Sequence, residues 1–242
     1  MIELAGACVC YGAREVIRGI DLSLRAGETT VLLGRSGSGK TTLLRAILGI
    51  ALPRAGEVRV AGRSTREWDL IALRRRTGYV LQEGGLFPHY SVARNVGLVP
   101  ELEGWAPARI ATRVAELLAL VGLPVAEFGA RFPHQLSGGQ RQRVGVARAL
   151  GVDPPLLLCD EPFGALDPIT RAELQREFGQ MARSLGKTIV FVTHDVREAL
   201  TLGDRIVLLV DGQVAVDTPA AELRDSTHPE ARAFLASLGQ LP

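Results

Sequence analysis

Lysine is almost absent from this chain. Of its 28 basic residues, all but Lys40 and Lys187 are arginine. A chain that meets nearly every need for a cation with arginine keeps lysine where a compact point charge on a flexible stem is wanted. A strong net charge is missing as well. A balance of +2 over 242 residues does not suggest the basic patch or stripe of a nucleic-acid-binding domain. Apolar runs such as TIVFVT and RIVLLV fall well short of the roughly 18 residues that span a bilayer. The opening MIELAGACVC has no basic leader ahead of a long apolar block, so no signal peptide is expected. Cysteine is scarce. Cys8, Cys10 and Cys159 form no metal-ligand pattern and are expected to be small buried thiols in a reducing compartment.

What remains is a globular composition. Apolar residues make up 47% of the chain, and the length suffices for one core, or one core with a smaller lobe. IELAGACVCY, EVIRGIDLSLRAG and TTVLLG read as strands, GKTTLLRAILGI as a helix, and GEVRVAGR and TGYVLQ as strands again. From about residue 83 to 152 the pattern turns helical, around SVARNVGLV, PARIATRVAELLALVG and GGQRQRVGVARALG. Alternation then resumes. PLLLCD, TIVFVT and DRIVLLVDG are strands between the helices DPITRAELQREFGQMARSLG and DVREALTLG, and HPEARAFLASLG is a last short helix. Strands alternating with helices predict a mostly parallel sheet. The expected architecture is α/β: a core of residues 1–82 and 153–242 carrying an antiparallel β element, interrupted by a helical insert at 83–152.

GRSGSGKT at 34–41 fits the phosphate-loop pattern and lies between an apolar strand and a helix, the context that pattern requires. Its glycines let backbone N–H groups curl around phosphate oxygens, and the helix N-terminus adds positive potential. Lys40, one of only two lysines, brings mobile charge to the β- and γ-phosphates, and Thr41 offers a hydroxyl to Mg²⁺. PLLLCDEP at 155–162 ends a buried strand in two carboxylates, at the edge where α/β sheets collect ligands. Asp160 is placed to hold the Mg²⁺ shell and Glu161 to orient and deprotonate an attacking water. Gln82 and His194 also end strands. Gln82 is placed to reach the metal or the water, and His194 the γ-phosphate.

LSGGQRQ at 136–142 stands directly before a helix. A serine hydroxyl, glycine N–H groups and a helix N-terminus make a second anion cradle, one without a lysine. Within a single molecule it is redundant; against the nucleotide of another copy it is not. With this motif the chain resembles the ATPase subunit of an ATP-binding cassette (ABC) transporter, a P-loop NTPase, over essentially its whole length. The resemblance implies a head-to-tail pair of ATPase subunits, with ATP between one phosphate loop and the partner's signature. It implies that Tyr11 stacks on adenine, and that Gly34, Arg35, Ser36, Gly37, Ser38, Gly39, Lys40, Thr41 and Thr42 hold the phosphates. Ser137, Gly138, Gly139 and Gln140 then meet the partner's nucleotide, and Asp167 in GALD acts across the dimer. Thr41, Gln82 and Asp160 serve the metal, Glu161 is the base and His194 the switch. ATP and Mg²⁺ are the implied cofactors. Cys159, where many members have methionine, is a packing variation.

LQEGGLFPHYSVARNVGLVPELEGW, PHQLSGGQRQRVGVARAL and DEPFGALDPITRAELQREF resemble the osmoprotectant branch, importers of glycine betaine, choline, carnitine and related compounds. That implies a peripheral subunit at the cytoplasmic face of the membrane, working on a separate permease fed by an external solute-binding protein, with no nucleic acid involved. Other solutes such as nitrate, sulfonates or an amino acid stay open, as does an ABC ATPase acting on nucleic acid or ribosomes. Glu83 departs from the glutamine expected beside Gln82, at a place where the resemblance implies that the subunit faces the permease. The apolar and aromatic GLFPHY that follows suggests a partner surface. Some members of the branch add a C-terminal pair of CBS modules; this chain reads to Pro242 without one, so ionic-strength sensing of that kind is not expected.

Overall fold

The computed structural model describes residues 1–82, 85–164 and 166–239. In chain order the elements are β1 (Ile2–Tyr11), β2 (Arg14–Leu24), β3 (Thr29–Leu33), α1 (Lys40–Ile47), β4 (Ala55–Val60), β5 (Arg63–Ser64) and α2 (Leu70–Arg75). Next come β6 (Thr77–Val80), α3 (Val92–Leu102), α4 (Pro107–Leu120), α5 (Val125–Phe128), α6 (Gly138–Ala149) and β7 (Leu156–Asp160). The chain closes with α7 (Pro168–Leu185), β8 (Thr188–Thr193), α8 (Val196–Leu202), β9 (Arg205–Val210), β10 (Gln213–Pro219) and α9 (Pro229–Ala236). They form two compact units, one of Met1–Leu73 with Gly179–Pro242 and one of Arg74–Phe178. Among the described residues no helix is long and apolar enough to cross a membrane.

The first unit holds three parallel strands and the antiparallel element that the patterning predicts. β3 lies between β8 and β9, parallel to both. β3 and β8 are buried at every position, which is why they read as unbroken apolar runs and not as alternations. A separate antiparallel sheet runs β2-β1-β4-β5. β1 buries Ile2 and Leu4, then Ala7 and Val9. The change of phase comes at a register shift between Leu4 and Ala7, where Gly6 has φ +54°. One extra residue flips every later side chain to the other face. Cys8 and Cys10 therefore lie opposite the core and are only half-buried, not buried as expected, whereas Cys159 is buried. Patterning missed β10, antiparallel to β9. Its signal was present: Asp211 and Gly212 both have positive φ, 48° and 80°, as a two-residue Asp-Gly hairpin turn requires.

The second unit pairs β6 with β7 in parallel and packs α6 on β6, with α3 and α4 against α6. It runs wider than the helical stretch 83–152, because β6, β7 and the first turns of α7 pack with it. Ser91 caps α3, its hydroxyl accepting the Arg94 N–H. One turn on, Asn95 is fully buried. Its amide accepts the Phe87 N–H at 2.8 Å and donates to the carbonyls of Phe87, Tyr90 and Ser91. That single side chain shapes the loop of GLFPHY and leaves Phe87 41% exposed, beside Tyr90 at 5.5 Å between ring centres. Glu83 lies outside the described residues.

Candidate functional site

The first unit carries the phosphate loop. It leaves β3 at Leu33 and enters α1 at Lys40. Gly37 and Gly39 sit at φ +79° and +104°, which a side chain disfavours. A Cβ at Gly39 would also stand 2.7 Å from Ile17 Cδ1. Lys40 is 4% exposed, and its ammonium donates to the carbonyls of Gly34 at 2.7 Å and Arg35 at 2.9 Å. Ser38 N–H donates to the Arg35 carbonyl at 3.2 Å. Ser38 Oγ is buried with no hydrogen-bond partner, an uncommon condition and one that fits a loop shaped for polar oxygens. Thr42 is buried and Thr41 half-buried, while Arg35, Ser36 and Gly37 form an exposed rim. A cavity of about 450 Å³ opens there, lined in part by Arg14, Asp211 and Glu230.

Glu230 of α9 is a partner that sequence reasoning missed. Its carboxylate accepts from Arg35 Nε, and this hydrogen bond, then its charge, raise the Arg35 pKa. No local pattern announces a contact across 195 positions. Tyr11 ends β1 opposite Arg14 and is 47% exposed, as a stacking surface must be. His194 is exposed, one residue beyond β8. Its turn is braced from beneath: Thr193 Oγ1 donates to the buried Glu198 carboxylate at 2.5 Å and accepts the Asp195 N–H at 2.9 Å.

The second unit carries the carboxylates. Asp160 is the last residue of β7, and Tyr79 of β6 donates its hydroxyl to Asp160 Oδ2 at 3.1 Å. Glu161 has φ +46°, a left-handed conformation that costs a non-glycine residue on the order of 1–3 kcal/mol and gathers at functional sites. Its carbonyl accepts the Gly164 N–H at 3.1 Å. Gln82 is exposed, and its side chain lies over the same turn: a Cβ on Gly164 would stand 3.1 Å from Gln82 Nε2. Asp160, Glu161 and Gln82 are thus neighbours within one unit. Cys159, next to them, is fully buried, and burial, then the Asp160 charge, push its thiol pKa up. Asp167 accepts the Thr170 N–H at 3.0 Å at the start of α7, and hydrogen bonds from Thr170 hold its carboxyl below the usual range. Ala165 of GALD lies outside the described residues.

Ser137 and Gln140 form a capping box on α6. Ser137 Oγ accepts the Gln140 N–H at 3.2 Å, and Gln140 Oε1 accepts the Ser137 N–H at 2.9 Å. S-x-x-Q ahead of a helix is a start signal, and it went unread beside the anion-cradle reading. Gly139 is buried, and a Cβ there would stand 2.8 Å from Thr170 Cγ2. Ser137 and Gly138 face outward, their surface open to a ligand from outside the chain. Among the described residues no three His, Cys, Asp or Glu side chains cluster as a metal cage. Mg²⁺ keeps several waters and binds through one or two carboxylates plus substrate phosphates, so Asp160 at a strand end suits it.

A family model described as ABC transporter matches residues 17–164. The chain is 50% identical over 214 residues to the glycine betaine uptake system ATP-binding protein YehX of Escherichia coli K12, covering 88% of this chain and 69% of that one. It is 47% identical over 237 residues to the glycine betaine/carnitine/choline transport ATP-binding protein OpuCA of Bacillus subtilis, covering 97% of this chain and 62% of the relative. The chain therefore spans about two-thirds of the length of these two relatives. A solved dimer of the ATP-binding cassette MJ0796, bound to ADP and Pi, superposes with a TM-score of 0.80 at 33% identity, over 91% of this chain and 99% of the other.

Proposed function

The chain belongs to the ABC transporter family, and from that premise we propose that it is the ATP-hydrolysing subunit of an importer for a quaternary-ammonium osmoprotectant. It acts as one nucleotide-binding domain, residues 1–242. The observation that carries the reading is the completeness of the set: phosphate loop, carboxylate pair, strand-end Gln82 and His194, and an outward-facing signature. Tyr11 stacks on the adenine. The backbone of Gly34, Arg35, Ser36, Gly37, Ser38 and Gly39, with Thr42, cradles the phosphates, and Lys40 follows the γ-phosphate. Thr41, Gln82 and Asp160 would hold Mg²⁺, which would supply positive charge to offset that of the phosphates. Glu161 takes the proton of the attacking water and His194 steadies the γ-phosphate. Ser137, Gly138, Gly139 and Gln140 close the site of a second copy head to tail, with Asp167 at the same interface. The Phe87–Tyr90 loop docks on a permease, which an external binding protein supplies. Kinship to proteins named for glycine betaine, carnitine and choline supports the solute class, and nothing nucleic is engaged.

The test is reconstitution. The subunit is assembled with the permease encoded beside its gene in liposomes, with the solute-binding protein outside. ATP inside should drive uptake of labelled glycine betaine, with choline and carnitine competing. Uptake of sulfate or nitrate instead would overturn the solute class. A subunit that binds no permease would overturn the importer.

Tyr79 gives a finer prediction. Its hydroxyl fixes one Asp160 oxygen, and removing such an outer partner typically costs ~10-fold or more in metal affinity. Tyr79→Phe should raise the Mn²⁺ concentration that half-saturates the ATP-bound subunit by about that factor, read by electron spin resonance, with metal-independent ATP binding unchanged. An unshifted Mn²⁺ titration would remove Tyr79 from the metal's support.

A further inference from the structure

A buried amide joins the strand end that leads into Gln82 to the helix that the signature begins, and we propose that Gln142 is a positioning residue through which the two nucleotide sites of a dimer sense one another. This rests on the paired reading above. Gln142 lies on α6 two residues beyond Gln140 and is 2% exposed. Its Nε2 donates to the Leu81 carbonyl at 3.2 Å. Leu81 follows the last paired residue of β6, Val80, and precedes Gln82. Its carbonyl lies past the strand ladder, where Gln142 reaches it. An amide is costly to bury without its hydrogen bond, so α6 and the strand end are held in one register.

The rest of the path lies in the same unit. Ser137 and Gln140 begin α6 as a closed cap, and one and a half turns of helix make a stiff link to Gln142. Gln82 rests over the turn that Glu161 begins. A partner's nucleotide pressing on Ser137 and Gly138 moves α6. Gln142 carries that movement to Leu81, and Gln82 follows beside Glu161 and Asp160. A subunit whose signature is engaged thereby adjusts its own carboxylates. The two composite sites are coupled through each subunit's interior.

The test uses Gln142→Met, which keeps length and apolar bulk and loses the donor. ATPase rate is measured against ATP concentration in the full-length subunit, with the thermal unfolding midpoint as a check on folding. The wild type should show a Hill coefficient of about 1.5 or more, and the variant one near 1, with half-saturating ATP changed by less than about threefold. A purely structural Gln142 would lower the unfolding midpoint and leave the Hill coefficient where it was. That outcome overturns the proposal, and so does a wild-type coefficient of 1. Should Gln142→Met fail to fold, Gln142→Asn keeps the amide but is one methylene too short, and the same fall is expected of it. Failure of Glu161→Gln to pair in ATP would remove the dimer itself, and this proposal with it. A dimer that forms with an unchanged coefficient removes only the role of Gln142.

Discussion

Glu161→Gln should stop ATP turnover while leaving ATP bound. Glutamine keeps the shape of the side chain and its capacity to accept a hydrogen bond, but it cannot take a proton from water at neutral pH. General-base loss costs ~10²–10⁴-fold in rate, and a fall within that range is expected here. The left-handed backbone at 161 carries the same strain with either side chain, so the unfolding midpoint should not move. The consequence is visible without kinetics. A pair that closes on ATP and cannot hydrolyse it stays closed, and in size-exclusion chromatography with light scattering the mass should double with ATP and not with ADP. Near-normal turnover would take the proton-accepting role away from Glu161.

The second large effect is a rescue. Lys40→Ala removes the only lysine of the phosphate loop, and Ser137→Arg puts bulk and length on the outward face of the signature. Each homodimer then has two damaged sites, and each should be nearly inactive. In a mixed dimer the intact phosphate loop of the second variant meets the intact signature of the first. One whole site returns, and the other carries both lesions. Random pairing of equal amounts makes about half the dimers mixed, so the ATPase rate should rise to roughly a quarter of wild type, and to less if the sites cooperate. Differential tags establish that mixed dimers form. A flat rate across mixing ratios would mean that LSGGQ serves only its own chain.

What could be read from sequence was what is local. The phosphate loop, the strand-end carboxylates and the signature are each contiguous, and glycine or charge at fixed spacing marks them. The parallel strands announced themselves through unbroken burial. The supporting contacts were silent for the opposite reason. Tyr79 reaches Asp160 across 81 positions, Gln142 reaches Leu81 across 61, and Arg35 reaches Glu230 across 195. In each case an ordinary residue type becomes informative only once the chain has folded. Asn95 is different. It bonds within eight residues, yet a lone asparagine inside a helical pattern carries no mark of burial. β10 and the half-buried Cys8 and Cys10 were misread through local features that were legible, the Asp-Gly turn and the glycine that shifts the phase of β1.

The capping box on α6 also records a choice of charge. For starting a helix, glutamate at position 140 would serve as well as glutamine, and its negative charge would favour the helix N-terminus by a further ~0.3–1 kcal/mol. Selection for folding alone therefore leans toward the acid. The chain has 26 acidic residues, and acid is not what it lacks, yet it keeps a neutral amide at this outward-facing helix start. A carboxylate there would repel a phosphate brought by a neighbour. Glutamine at 140 is the side chain that satisfies the helix and still leaves its entrance hospitable to an anion.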